Sequence, residues 1–383
     1  MWPVKATLAI SLVLLLLVVT VSQLQFLSQG TATTSSRAGT SSSVMLSSSP
    51  GTGTVKLDPF KECVAGQKVL PLMALRVAFV VPIFTLTPYS NFASSFYAFY
   101  IKYNTATGPI TTDLSWLSTH ITNAWPSPAV NNEKPLFDFL NSVTAANCGL
   151  VSGKNLSMID DLAVNDGGLF SGGTPKYDVV ILGHEEYVTP YEFHQFQQFV
   201  AQGGRIVAMC GNTFWGQVSY SSGVETFVAG HGFRFNGTTA WKTSYEPFDQ
   251  ESASWFGSTF AGSGLTVKGA VLTGNDSLSS SIKKAFHNSS AFTDYSYPHN
   301  ELNYVRNTSH TLVIAKFYQA INPNNASRPL YPYVPVDAYA HEYVKGQVVD
   351  IVIFGEDIIL RDQGAQYFLV AAVSSPVLPA IPA

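Results

Sequence analysis

The feature that most constrains the fold is an apolar–helical–apolar pattern between residues 177 and 209. Two short, mostly apolar runs, 177–182 and 205–209, flank a capping box at 189–192 that has Pro at the first helical position. The helix that starts there ends at Gly203-Gly204, because glycine favours the end of a helix. A strand, a helix and a strand at this spacing form a βαβ unit, so we expect the two strands to be parallel.

Further segments extend this unit into one α/β domain. The sequence predicts strands at 75–81, 264–272, 311–317 and 348–354, and helices at 136–143 and 362–374. Because the strands of the βαβ unit are largely apolar, helices should cover both faces of their sheet. We therefore predict an open, mostly parallel sheet with helices on both faces, elaborated by loops, in a domain spanning residues 55–383.

Residues 1–27 predict a signal anchor, a transmembrane helix. Residues 6–36 carry no charge, and the apolar stretch of about 22 residues is long enough to cross roughly 30 Å of hydrocarbon as a helix. Lys5 precedes this stretch, so the N-terminus should stay in the cytoplasm. The alternative is a cleaved secretory signal. Both interpretations place the bulk of the chain outside the cytoplasm, and the anchor makes it a single-pass protein of the cell membrane.

The segments that follow suit an exposed, glycosylated chain. In residues 28–54, fifteen of 27 positions are Ser or Thr, which is typical of a flexible stalk. Asn-X-Ser/Thr sequons, which predict N-linked glycans in surface loops, occur at Asn155, Asn236, Asn275, Asn288, Asn307 and Asn325.

The charge balance argues against a nucleic-acid partner. Charged residues make up 12% of the chain, and 21 basic residues face 25 acidic ones. No excess of cations is available to displace counterions from phosphates. The expected partners are therefore the membrane, through the N-terminal helix, and N-linked glycans, while the sequence identifies no protein partner.

The chain has three cysteines, so at least one is left unpaired. If Cys210 lies in the core, we expect a disulfide between Cys63 and Cys148.

Two loops leave the carboxyl ends of the predicted parallel strands, where ligands bind in open α/β sheets. They are residues 183–189 and 210–215. The candidate catalytic residues in these loops are His184, Glu186 and Cys210. The candidate ligand-binding residues are Tyr187, Asn212 and Trp215.

Residues 177–215 resemble the C-terminal domain of the large subunit of N,N-dimethylformamidase. The resemblance rests on Gly-His-Glu-Glu-Tyr at 183–187, on Gly-Gly-Arg at 203–205, and on Gly211-Asn212 followed by Phe and Trp. It implies a fold similar to the class I glutamine amidotransferases. Cys210 replaces the first Gly of the Gly-Gly-Asn pattern of that family. The iron ligands of the family are not assigned to residues of this chain, so neither its activity nor a cofactor is carried over.

Cys210 has two interpretations. Amidotransferases place a nucleophilic Cys on a tight turn after such a strand, where backbone amides could lower the pKa of the thiol. The Gly-x-Cys-x-Gly elbow is absent, however, and a base such as His299 or His341 would have to be brought near by folding. The other interpretation is a small hydrophobic residue of the core.

His184, Glu185 and Glu186 could bind a metal ion or act as an acid and a base. Neighbouring residues on a turn point in different directions, so at most two of them would converge. Alternatively, one carboxylate pairs with a helix N-terminus and the others face water. We assign no metal site from the sequence.

Two main functions remain open at this point, and a third, a surface-layer or adhesion component, would require self-association through exposed apolar or aromatic patches. The first is a membrane-anchored, glycosylated binding or structural module that kept an amidotransferase-like fold without catalysis. The alternative is a hydrolase of C–N bonds in amides, with a site near His184, Glu186 and Cys210. A histidine close to Cys210 or ligands converging near His184 would favour the enzyme.

Overall fold

The computed structural model describes the chain in ranges that all lie in one compact unit, Leu57–Ala383. The described residues are 75–90, 110–113, 133–143, 155–230, 254–268, 270–272, 296–305, 310–317, 320–321, 334–336, 338–351 and 363–374. The principal helices in these ranges are α1 (Ile83–Ser90), α2 (Glu133–Val143), α3 (Asp161–Asn165), α4 (Pro190–Ala201) and α5 (Gln363–Ser374).

The strands of the same ranges belong to several sheets. In chain order they are β1 (Val77–Val81), β2 (Ile110–Asp113), β3 (Leu156–Asp160), β4 (Phe170–Ser171), β5 (Thr174–Pro175), β6 (Val179–Leu182), β7 (Tyr187–Val188), β8 (Arg205–Ala208), β9 (Gly216–Ser221), β10 (Val224–Gly230), β11 (Ser258–Lys268), β12 (Ala270–Leu272), β13 (Ser296–Val305), β14 (Thr311–Phe317), β15 (Ala320–Ile321), β16 (Val334–Val336), β17 (Ala338–Tyr343) and β18 (Gly346–Ile351).

The main sheet has eight strands in the order β12-β14-β17-β18-β8-β6-β1-β3. The five strands from β18 to β3 pair in parallel, and β6 and β8 flank α4 as the βαβ unit predicts. The other pairings, from β12 to β18, are antiparallel. The prediction of a mostly parallel sheet is confirmed, with an antiparallel extension at one side.

Alternate residues of the central strands enter two separate apolar clusters, because successive side chains of a strand point to opposite faces. On β6, Val179 and Ile181 lie in the first cluster, and Val180 and Leu182 lie in the second. The first cluster includes side chains of α1, α2 and α5, and the second includes side chains of α3 and α4. Helices therefore cover both faces of the parallel half, as its apolar strands predict.

The helix α4 starts and stops at the predicted residues. Thr189 Oγ1 accepts a hydrogen bond from the backbone N–H of Glu192 at 3.1 Å, and the Glu192 carboxylate accepts from the backbone N–H of Thr189. After the helix, Gly203 has φ of +107°, a conformation that favours glycine. These local contacts fix where the chain turns back towards β8.

A second sheet, in the order β2-β10-β9-β7, starts from the same strand ends. Strand β7 follows the turn after β6, and β9 follows the turn after β8. The two strands pair in parallel, with Tyr187 opposite Gly216. The chain segments that leave two neighbouring strands of the main sheet therefore pair again beyond its carboxyl edge.

The agreement between predicted and observed strands is uneven. Strand β14 coincides with the predicted range 311–317, whereas the predicted strand 264–272 is divided between β11 and β12. Strand β3 was not predicted. It lies at the edge of the sheet, and its residues after Leu156 are half-buried, so it lacks a continuous apolar run.

The predicted anchor (1–27), the stalk (28–54), Cys63 and Cys148 lie outside the described residues, as do all the sequons except Asn155. Within the described ranges no helix has the length and hydrophobicity needed to span a bilayer. Asn155 is half-buried beside β1, where its side-chain nitrogen donates to the carbonyl of Leu75 at 3.2 Å. Glycosylation at Asn155 would modify this same nitrogen atom.

Candidate functional site

The candidate site lies where the β6 turn (residues 183–186) meets the β8 turn (residues 209–215). The backbone N–H of Phe214 donates to the carbonyl of Glu185 at 2.8 Å, and that of Gly216 donates to the carbonyl of Glu186 at 2.9 Å. Phe214 adopts φ of 59°, which is unusual for a residue with a side chain, and its ring is fully buried. The two turns therefore form one closely held unit, as expected for neighbouring parallel strands.

Four side chains of these turns form a continuous chain of contacts. Nε2 of His184 lies 3.3 Å from Oε2 of Glu186 and 3.1 Å from Nδ2 of Asn212. On the other side of the same amide, the thiol of Cys210 donates to Oδ1 of Asn212 at 2.9 Å. The structure thus brings together the three candidate catalytic residues, with Asn212 between the histidine and the cysteine.

Among the four side chains in contact, that of His184 is the most accessible to solvent. It is 24% exposed, whereas Glu186 is 0%, Asn212 2% and Cys210 8% exposed. A molecule arriving from solvent would meet the imidazole first. Glu186 and Asn212 are therefore placed to orient the imidazole.

The amide of Asn212 is able to serve two protonation states. With its nitrogen towards His184, it donates to a neutral imidazole and accepts from the Cys210 thiol. Rotation of the amide by 180° presents the oxygen to a protonated His184 and the nitrogen to a Cys210 thiolate. The contact chain can thus accommodate either protonation state with no change in the backbone.

The β6 turn is positioned by a residue that the sequence did not single out. Thr85, buried on α1, accepts hydrogen bonds at its Oγ1 from the backbone N–H groups of Glu186 and Tyr187, both at 3.0 Å. These contacts fix the backbone on the C-terminal side of His184. No local pattern marks Thr85, because its partners lie about a hundred residues further along the chain.

The other predicted site residues have different surroundings. Tyr187 is fully buried and packs edge-on against Phe227, with 5.9 Å between ring centroids. Trp215 is half-buried, and its backbone N–H donates to the carbonyl of Asn212. Their assignment to ligand binding stays a prediction, and the burial of Tyr187 favours a packing role for that residue.

The two histidines considered as bases for Cys210 lie on other strands. His341 is on β17, where it pairs with Val348, and Val348 pairs with Ile206 well before the end of β8. Its Nδ1 lies 2.9 Å from the hydroxyl of Thr311. His299 lies on β13 of a separate sheet. Asn212 therefore links His184 to the buried thiol of Cys210.

A buried cluster of acidic residues, absent from the sequence predictions, lies beside the β6 turn. Carboxylate oxygens of Asp161, Glu185 and Glu192 lie within 4.8 Å of one another, and all three residues are fully buried. Burial raises the pKa of Asp161 to about 7, and burial together with the charge of Asp161 raises the pKa values of Glu185 and Glu192 well above their usual range. We name these three residues the acidic cluster.

The acidic cluster sits at the point where the connections from the sheet change direction. The chain passes from β1 to β3 on one side, and β6 lies on the other side of β1. Asp161 follows β3, and its Oδ2 accepts from the backbone N–H of Phe84, in the first turn of α1, at 2.6 Å. Two consecutive acidic residues at the end of a short strand, Asp160 and Asp161, were the sequence signal that could have indicated this position.

Comparison with solved structures gives only distant likenesses. A ThuA-like protein from Bacteroides uniformis is 12% identical with a TM-score of 0.40, and the match covers 67% of this chain and 89% of that protein. A β-galactosidase from Bacillus circulans sp. alkalophilus is 14% identical with a TM-score of 0.35. The match covers 64% of this chain but only 26% of the galactosidase. Scores this low carry no functional information.

Comparison with curated proteins gives no match. A family model does match, over residues 71–299, which is more than half of the chain, and it is described as N,N-dimethylformamidase beta subunit-like, C-terminal. The match includes both turns of the candidate site and the acidic cluster. The chain therefore belongs to the N,N-dimethylformamidase beta subunit-like, C-terminal family, as the His-Glu-Glu-Tyr and Gly-Asn motifs predicted.

Proposed function

We propose that this domain hydrolyses the C–N bond of a small amide at His184. The observation that carries the proposal is the contact chain from Glu186 through His184 and Asn212 to Cys210. The family is described by the name of an amidase, N,N-dimethylformamidase, which supports the same reaction class. The partly exposed imidazole at the head of a buried polar chain is the arrangement expected of a group that exchanges protons with a ligand.

In this proposal His184 transfers the protons of the reaction. A water molecule adds to the amide carbon while His184 accepts its proton, and the C–N bond breaks as His184 returns that proton to the leaving nitrogen. The products are a carboxylic acid and an amine, so atoms and charge balance. Glu186 stabilises the imidazolium formed between the two steps, since its carboxylate lies 3.3 Å from Nε2. Asn212 holds the ring in a fixed orientation.

The low exposure of the site supports a small substrate. Beyond His184, the polar atoms of the contact chain are nearly inaccessible to solvent. A compact amide can meet the imidazole, whereas a folded protein substrate would need a wider opening.

The test is release of free amine from a series of small amides, including simple formamides, by the purified full-length chain. We expect turnover by the wild-type protein and a loss of at least about 100-fold in the His184→Gln variant. The matched control is His194→Gln, which alters an exposed histidine of α4. Equal release by wild-type and His184→Gln protein, or none by either, would refute the proposal.

A binding module without catalysis is the second candidate. It is favoured by the burial of Glu186, Asn212 and Cys210 and by the absence of the Gly-x-Cys-x-Gly elbow from the β8 turn. In that case the same amides would shift the imidazole NMR signals of His184 in a saturable way with no amine released. The two candidates are thus separated in one set of samples.

We further propose that the domain is displayed outside the cytoplasm on a membrane anchor and a Ser/Thr-rich stalk. The uncharged apolar N-terminus and the sequons support this placement. Protease added to intact cells should remove the domain, and an N-glycosidase should lower the mass of the full chain. Resistance to the protease with no change in mass would exclude this topology.

A further inference from the structure

The acidic cluster brings three buried carboxyl groups together, and none of them forms a salt bridge with a residue of the described ranges. Asp161, Glu185 and Glu192 are fully buried, and their carboxyl groups come together at the carboxyl ends of β3 and β6 and at the start of α4. The ion pairs Arg76–Asp178, Lys134–Asp138 and His184–Glu186 do not involve the carboxylates of the cluster, although His184 is near enough for its charge to act on Glu185. Burying several carboxylates in this way is very costly unless something neutralises them.

Several oxygens of the cluster also lack donors. In the described part of the chain, no N–H or O–H group donates to Oδ1 of Asp161, to either oxygen of Glu185, or to Oε1 of Glu192. Asp161 lies within hydrogen-bonding reach of both glutamates, but two carboxylates attract each other only through a shared proton or cation. Lone pairs of the carboxylate oxygens therefore lie close together in a small buried volume.

A fourth buried acid, Glu225, lies on another sheet within electrostatic range of Asp161. Glu225 lies on β10, is fully buried, and neither of its carboxyl oxygens receives a hydrogen bond within the described residues. It lies near enough to Asp161 for the negative charge of Asp161 to act on its carboxyl group. Glu225 therefore adds another buried carboxyl group whose negative charge would be costly without a neutralising partner.

We propose that Asp161, Glu185 and Glu192 bind a divalent cation of the hard, oxygen-preferring class, with Ca²⁺ and Mn²⁺ as the first candidates. Carboxylate oxygens are the ligands these ions prefer. The spacing agrees: oxygens on opposite sides of a calcium ion with bonds of about 2.4 Å lie at most about 4.8 Å apart, and the three ligand atoms lie within 4.8 Å of one another.

The site is independent of the proposed amidase reaction but is joined to it by the backbone. Glu185 stands between His184 and Glu186, and its carbonyl accepts from the N–H of Phe214. A cation held by the Glu185 side chain would help to fix the β6 turn. We therefore expect the ion to stabilise the fold and to hold His184 in position, and not to contact the amide.

The experiment measures binding of the metal alone to the full-length chain, purified in detergent and dialysed against a chelator. Equilibrium dialysis with Ca²⁺, and electron paramagnetic resonance with Mn²⁺, should give one equivalent bound per chain. The Glu185→Gln variant should bind at least about tenfold more weakly, because ligand charge sets the affinity of such sites. Saturating Ca²⁺ should also raise the melting temperature of the wild-type protein.

Two further variants make the test decisive. Glu192→Gln removes one charge but keeps a capping box, since Gln is also accepted at that position, so it should fold and still bind more weakly. Asp138→Asn, which alters an exposed carboxylate of α2, should bind as the wild type does. Binding of less than one equivalent by the wild type, or equal binding by all four proteins, would show that protons and not a cation neutralise the cluster.

Discussion

Nδ2 of Asn212 lies 3.1 Å from Nε2 of His184, and this contact joins the β8 turn to the β6 turn through side chains. The same amide accepts the Cys210 thiol hydrogen bond, so Asn212 is the centre of the contact chain. If His184 is the group that exchanges protons, Asn212 should affect both its orientation and its charge.

Replacement of Asn212 separates these two effects. Asn212→Ala removes the contact with the ring, and we expect amidase turnover to fall by about 100-fold. Asn212→Asp places a negative charge beside the ring and should raise the pKa of His184, because an opposite charge favours the protonated form. The pH dependence of kcat/KM reports this shift. An unchanged profile in Asn212→Asp would mean that Asn212 does not face the reacting histidine.

Replacement of Cys210 distinguishes a positioning thiol from a nucleophile. Cys210→Ser keeps a donor for Oδ1 of Asn212, and we expect amide turnover to stay within about threefold of the wild type, whereas Cys210→Ala should lower it by about tenfold. The measurement is kcat for the same amide series. Loss of all turnover in Cys210→Ser would instead assign the attack on the amide carbon to the thiol.

The buried side chain of His341 should lower the free energy of unfolding in acid. Burial lowers its pKa from 6.5 to about 4, and the charge of His310 acts in the same direction. The unfolded chain then takes up a proton near pH 6.5, while the folded chain does so only near pH 4. The contribution of neutral His341 to the free energy of unfolding is therefore complete above about pH 6.5 and is lost as the pH falls towards 4. The loss reaches about 3 kcal/mol.

Urea unfolding at pH 7 and pH 4.5 measures this loss. The His341→Gln variant should lose less stability than the wild type between the two pH values, because Gln does not titrate. The exposed-histidine variant His194→Gln should behave as the wild type does. If all three proteins lose the same stability between pH 7 and pH 4.5, titratable groups other than His341 cause the loss.

Gly216 should not tolerate a side chain. A Cβ atom at this position would lie 2.3 Å from Cδ1 of Tyr187, a fully buried ring. Gly216→Ala should therefore lower the free energy of unfolding by about 1–3 kcal/mol, the usual cost of overpacking. Gly183→Ala is the control, since its nearest neighbour, Cγ of Glu133, would lie 3.8 Å from the new Cβ. Equal changes of the urea midpoint in Gly216→Ala and Gly183→Ala would contradict close packing of Tyr187 against Gly216.

The local parts of the fold could be predicted because short-range interactions specify them. The capping box of α4 spans Thr189 to Glu192, and the apolar runs of β6 and β8 mark strands buried on both faces. The edge strand β3 gave no such signal, since its half-buried residues do not form an apolar run.

The candidate site was predicted in part. The carboxyl ends of two neighbouring parallel strands placed His184 and Cys210 in one region, because this rule follows from sheet topology. The orientation of Tyr187 towards Phe227, and the position of His341 on the antiparallel side of the sheet, depended on strands that no local pattern revealed.

The sequence by itself determined the βαβ unit, the ends of α4 and the family to which the chain belongs, since each depends on residues close together in the chain. Only the tertiary structure decided the rest: Asn212 touches His184 from 28 positions away, Thr85 holds the β6 turn from 101 positions away, and Phe84 donates to Asp161 from 77 positions away. Such contacts form only when the strand order of the sheet brings distant segments together. The acidic cluster, whose members come from α3, the β6 turn and α4, is therefore a property of the folded chain.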